Sequence, residues 1–149
     1  MITSTTTQTS SYFTTNTNAM AGFISQSQDL LIEATNNTPY IKYSRPLRKL
    51  VLRGKATSAN IIQMLEPVIS MLKTDTLASR SVSVDVFLTE MNTESLKALF
   101  DLFKFLGLKK LTGGDVEVIW RAAATNPELV DTGLNFSDLY DLDVKIITV

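Results

Sequence analysis

The chain has 149 residues, 44% of them apolar, enough for one hydrophobic core and hardly for two domains. Its net charge of −1 and pI of about 5.4 give no global pull toward nucleic acid or a membrane surface. Cysteine and histidine are both absent, which excludes disulfides, thiolate metal sites, and the commonest general base and metal ligand.

Carboxylates and lysines remain, but no nucleophile–base pair and no metal cluster is visible. The reading is therefore a protein that is not an enzyme, with no cofactor and no metal. No apolar run approaches the ~20 residues of a membrane span. No basic n-region precedes an apolar stretch at the N-terminus, so neither a secretory leader nor membrane insertion is expected, and the default location is cytoplasmic.

Residues 1–28 differ from the rest. Between Thr3 and Asn18 there are eight threonines and three serines with no charged residue. Such a segment has little to bury and reads as a flexible N-terminal extension, with Met20 as an alternative start. Residues 29–149 read as the folded domain.

Leu30-Leu31-Ile32-Glu33-Ala34 reads as a first strand, and Asn36-Asn37-Thr38-Pro39 as a turn. Tyr40 to Ser44 and Leu50-Val51-Leu52 form the arms of an antiparallel hairpin, with Gly54 ending the second arm. Lys42, Arg45, Arg48, Lys49, Arg53 and Lys55 lie in this hairpin with no acid among them. They fit a solvated hairpin edge, where lysine blocks edge pairing. They also fit docking to an acidic partner. Nucleic acid is disfavoured, because no aromatic platform accompanies the charges.

Ser58 or Asn60 can cap a helix reaching about Lys73. Ile61, Met64, Leu65, Val68 and Leu72 form its buried stripe, and Pro67 predicts a kink or a restart. Ser81 to Leu88 is a β-branched strand. A long helix from Thr93 to about Leu108 follows, with a core stripe of Leu96, Leu99, Phe100, Phe103 and Leu106. Lys97 and Asp101 are spaced as an i, i+4 ion pair. Ala98, Leu102 and Phe105 form a second apolar line on the flank. That line is either covered by another element or offered, with Leu102 and Phe105 partly exposed, to a partner.

Gly113-Gly114-Asp115 matches the signature triplet of diguanylate cyclases. It precedes the strand Val116-Glu117-Val118-Ile119-Trp120, however, so it reads as a turn. Short helical pieces at Asn126 to Asp131 and Phe136 to Tyr140 precede a last strand from Val144 to Val149. Helix–strand alternation in the second half implies parallel crossovers, and the hairpin adds antiparallel pairing. The expected class is α/β, a single domain with a mixed sheet and helices packed on it.

The organising stretch is Asn92-Thr93-Glu94-Ser95, where strand turns into helix. A hydroxyl there sits beside helix-start N–H groups that no turn of helix precedes. By its residues alone this is an ordinary N-cap. Such a turn can also be a place where a phosphate is added and held.

From about Leu31 to Val149 the chain resembles the SiaC family of biofilm-regulating phosphoproteins. The resemblance rests on Ile32-Glu33-Ala34-Thr35 with Thr38-Pro39, on Glu66-Pro67, and on Asn92-Thr93 with Ser95 and Lys97. Trp120, Gly133 and Phe136 before a closing apolar strand complete it. The resemblance implies a STAS-like fold, similar to the anti-sigma-factor antagonists. It implies a switch protein phosphorylated on Thr93, with Asn92, Glu94, Ser95 and Lys97 around the phosphosite.

The implied partners are a serine/threonine kinase of the anti-sigma type, a metal-dependent protein phosphatase and a diguanylate cyclase. The rival reading is a STAS-type antagonist acting on transcription through a partner-switching kinase. Two departures from the family pattern stand out. Thr57-Ser58-Ala59-Asn60 replaces a usual Tyr-Pro-Glu-Asn, and Glu94 replaces the usual serine after the threonine.

Overall fold

The computed structural model describes residues 29–149. The flexible extension expected over residues 1–28 lies outside them. In chain order the elements are β1 (Asp29–Ile32), β2 (Tyr40–Ser44), β3 (Lys49–Ala56), α1 (Ile61–Leu77), β4 (Ser81–Met91), α2 (Thr93–Leu111), β5 (Asp115–Ala122), α3 (Pro127–Leu139) and β6 (Val144–Thr148). The strands form one sheet in the order β1-β2-β3-β4-β5-β6. β2 and β3 pair antiparallel, whereas β3-β4, β4-β5 and β5-β6 are parallel. This is the mixed α/β sheet that the element order implied.

Strictly sequential order in the parallel part has a consequence. Each crossover helix joins a strand to its next neighbour in the same direction. Right-handed crossovers then put every helix on the same face. The burial pattern agrees. Leu52, Val86 and Trp120 lie in register across β3, β4 and β5 and are all buried. Trp120 meets α2 through Phe103, with ring centroids 6.1 Å apart, and meets α3 through a hydrogen bond from Nε1 to the Leu129 carbonyl (2.8 Å). Phe103 stacks on Phe136 of α3 at 4.4 Å. The aromatic cluster Trp120, Phe103 and Phe136 therefore ties sheet, α2 and α3 together.

Several elements differ from expectation. Gly54 does not end β3: its φ of +112° supports a bulge between Gly54 and Lys55, and the strand runs on to Ala56. The hairpin is not a sheet edge, because β2 is flanked by β1 and β3, and β3 by β2 and β4. Helix α1 runs without interruption through Pro67. Pro67 and Gln63 both lie on its exposed side, so water can satisfy the Gln63 carbonyl that proline leaves without a donor. The two short pieces expected after Asn126 are one helix, α3. Gly133 inside it is a packing residue: an added Cβ would lie 2.5 Å from Trp120 Cδ1.

A polar network closes the other end of the helical layer. Tyr43 of β2 is buried and donates to Asp75 Oδ2 of α1 (2.5 Å), and Arg45 grips the same carboxylate through Nε and Nη2 (3.0 and 2.9 Å). The Arg45 hydrogen bonds hold the Asp75 carboxyl below its ordinary range, with Tyr43 adding to them. Burial first, and then its bond to Asp75, push the Tyr43 phenol well above the ordinary tyrosine value.

The signs set a pH profile. A depressed carboxyl contributes stability that is present above its unfolded pKa of about 3.9 and is lost as pH falls through the folded value. A raised phenol contributes stability that is present below about pH 10 and is lost as pH climbs through its folded value. Asp75→Asn should therefore cost ~1–3 kcal/mol at neutral pH. It should also flatten the acid arm of the stability curve, as measured by urea denaturation from about pH 5 downward. An acid arm identical to that of the wild type would contradict the assignment.

Candidate functional site

The carboxyl ends of β3, β4 and β5 open on one side of the sheet, where α2 and α3 begin. Between them lies a cleft of ≈ 480 Å³ lined by Thr57, Thr89, Met91, Asn92, Thr93, Leu96, Asn126 and Thr132, with the carboxylates of Glu90 and Glu128. In open α/β sheets this is where function is usually built.

The start of α2 is fixed by a reciprocal cap. Asn92 has an extended backbone, and its side-chain oxygen accepts from the Ser95 N–H (2.8 Å). The Asn92 N–H in turn donates to Ser95 Oγ (3.0 Å) and to the Ala56 carbonyl at the end of β3 (3.1 Å). Asn92 Nδ2 donates to the Ser58 carbonyl (3.0 Å) in the loop before α1. Ser95 Oγ donates back to the Asn92 carbonyl (2.9 Å). A capping box with serine at the third helical position thus also fastens α2 to the neighbouring loop.

This arrangement separates the two hydroxyls of the stretch. Ser95 is fully buried, and its Oγ is engaged in both directions. Thr93, the first helical residue, is exposed, and its hydroxyl makes no hydrogen bond among the described residues. Glu94 is half-buried and faces Lys97 at 3.6 Å. The expected Lys97–Asp101 pair does not form. Asp101 instead accepts from Lys73 of α1 at 2.7 Å.

The flank of α2 also differs from expectation. Asp101 reaches Lys73, the Phe105 ring lies 5.9 Å from the Lys73 ammonium, and Lys109 donates to the Thr76 carbonyl. These contacts show α1 running along that flank, and it buries Ala98 and Leu102, the latter with no exposure at all. The expectation that Leu102 is partly exposed is therefore corrected: the line is covered, and of its three residues only Phe105 is half-buried. Phe100, expected in the core, is instead 40% exposed, resting edge-on against Phe136 at 5.0 Å.

A sequence alone shows a helix with too much apolar girth. Which side a neighbour covers is decided by packing. The cleft residues Thr57, Thr89, Asn126 and Thr132 carry no sequence signal, apart from the N-cap Asn126 followed by Pro127, because only the sheet brings them together.

The cap makes a contrast that mutation can read. Asn92→Ala removes the cap and the tie to Ser58, and should cost ~1–2 kcal/mol. Thr93→Ala, one residue on, removes no side-chain hydrogen bond among the described residues and should stay within ~0.5 kcal/mol of the wild type. Equal losses in urea denaturation would contradict this geometry.

Among the described residues no group of acidic side chains is placed to hold a metal, and no helix is long and apolar enough to cross a membrane. Comparison with curated protein sequences returns no match. Among solved structures, apo-SiaC from Pseudomonas aeruginosa is similar, with a TM-score of 0.75, 23% identity, and coverage of 81% of this chain and 99% of that one. A chain of the crystal structure of diguanylate cyclase SiaD in complex with its activator SiaC, from the same organism, gives a TM-score of 0.76 at 23% identity, covering 81% of this chain and 100% of that one. At such identity the likeness speaks for the fold. The model of the SiaC family regulatory phosphoprotein matches residues 32–149, from the end of β1 to the last residue. The chain belongs to the SiaC family of regulatory phosphoproteins.

Proposed function

We propose that this protein is a cytoplasmic, non-catalytic phospho-switch that binds and regulates a diguanylate cyclase, with Thr93 as its regulatory phosphate acceptor. The observation that carries the reading is the contrast at the start of α2. Thr93 offers an exposed hydroxyl that makes no hydrogen bond among the described residues, whereas Ser95 is buried within the cap. The structural likeness to an activator solved together with its cyclase supports the choice of partner. A kinase of the anti-sigma type would add the phosphate, and a metal-dependent phosphatase would remove it.

Electrostatics explains how one phosphate would act. It brings about −1.5 to −2 charge to the first residue of α2, where the helix dipole favours an anion. Lys97, one turn further on, is exposed and only loosely paired with Glu94, so it can turn to the phosphate. Against this stand Glu90 and Glu128, which line the cleft, and Glu94, next to Thr93 in the chain. The phosphate would thus be held locally while the rim turns strongly negative. A partner surface packed against that rim would be repelled, or would have to desolvate the phosphate.

The contact surface follows from what the packing leaves open. Ala98 and Leu102 are covered by α1 and cannot touch a partner without opening the core. Phe100 lies two turns from Thr93 on the outer side of α2, and it replaces them as the apolar anchor, with Phe105 at the margin.

Binding to the cyclase, measured by calorimetry, should stay constitutive for Thr93→Ala and should weaken for Thr93→Asp. Phe100→Ala should weaken binding by ~1–3 kcal/mol, the range of an interface anchor. It should cost less than the ~3–5 kcal/mol of a core phenylalanine in stability. Wild-type affinity for both Thr93→Asp and Phe100→Ala would contradict the reading.

A further inference from the structure

The sheet face opposite the helices carries its own pattern. No described helix packs on it. The hairpin cations divide there into two groups. Arg45 is bound to Asp75, Arg48 donates to the Pro46 and Ser81 carbonyls, and Lys55 lies 3.6 Å from Glu90. Lys42, Lys49 and Arg53 remain exposed, and no carboxylate pairs with them among the described residues.

The register places these cations together. Lys42 of β2 is opposite Val51 of β3, and Lys49 and Arg53 flank Val51 two residues to either side. Period-two alternation turns all of them outward, away from Leu50 and Leu52. Diagonal neighbours in such a pair stand ~7–8 Å apart. The result is a triangle of positive charge around a half-buried valine. Asp85, in register with Val51 on β4, is the acid beside that valine in the ladder. It is buried and gripped by Arg121 through two hydrogen bonds of 3.0 Å, so it does not neutralise the triangle.

Like charges set so close repel one another and weaken the free fold, and a bound anionic group would relieve that repulsion. We propose that this triangle is a second docking surface, for an acidic segment of a protein partner that seats an apolar side chain on Val51 with carboxylates over Lys42, Lys49 and Arg53. Charge complementarity identifies the chemistry, and the valine floor selects a peptide over a bare polyanion. Nucleic acid is disfavoured because no aromatic platform accompanies the cations. The inference does not rest on Thr93, which lies at the start of a helix on the opposite face.

The test uses the full chain and a short synthetic peptide alternating glutamate with leucine, followed by fluorescence anisotropy at low and at physiological salt. A glutamine–leucine peptide, single-stranded RNA and anionic vesicles are run in parallel. The acidic peptide should bind, with affinity falling as salt rises. The triple variant Lys42→Gln/Lys49→Gln/Arg53→Gln should bind it about tenfold more weakly and melt at or above the wild-type temperature, because repulsion is relieved. Unchanged peptide affinity in the variant would overturn the proposal, and so would a melting temperature several degrees lower. Binding of RNA or vesicles without binding of the acidic peptide would overturn it as well.

Discussion

The reciprocal bond between Asn92 and Ser95 is the constraint on which the functional end of the molecule depends. It satisfies N–H groups at the start of α2 and removes the serine hydroxyl from water. Through the Asn92 amide and backbone it also ties the junction to Ala56 and Ser58. Thr93 is left on a rigid platform with its side chain outward. A modification at that position can therefore change surface charge without changing the fold, which is what a switch working through partner affinity requires.

The sheet topology explains why such a platform has a free outlook. Sequential parallel strands place all three described crossover helices on one face. Their N-termini then gather at the carboxyl ends of the strands, and α1 covers one flank of α2. The Trp120–Phe103–Phe136 cluster fixes the angle of α2 against α3 and holds Phe100 at the surface. The same topology leaves the reverse of the sheet bare of described helices, and the hairpin cations face that way.

Much of this was legible in the sequence because local signals and burial agreed. The limits of β2 match its alternating pattern, and the buried stripe of α1 appears where its spacing placed it, with Met64 at the margin. Tertiary contacts decided the rest. Gly54 looks like a stop, yet pairing on both sides carries β3 past it through a bulge. The pieces Asn126 to Asp131 and Phe136 to Tyr140 read as two short helices, yet they are one, and its Gly133 stands where the Trp120 ring leaves no room for a Cβ. The apolar line of Ala98, Leu102 and Phe105 is visible in the sequence, but the side from which α1 approaches is not: of Leu102 and Phe105, both expected partly exposed, only Phe105 is, and Phe100, expected in the core, is at the surface. Beyond Asn92 and Thr93 the cleft has no linear signature, because its walls come from β4, α2, α3 and the loop after β3, which the fold brings together.

Site-resolved mass spectrometry of the protein after incubation with its cognate kinase and ATP tests the central claim most directly. The account predicts a single phosphate on Thr93 and none on the Thr93→Ala variant, with Ser95 unmodified because its hydroxyl is locked in the cap. Phosphate on Ser95 with Thr93 untouched, or full modification of Thr93→Ala, would contradict it.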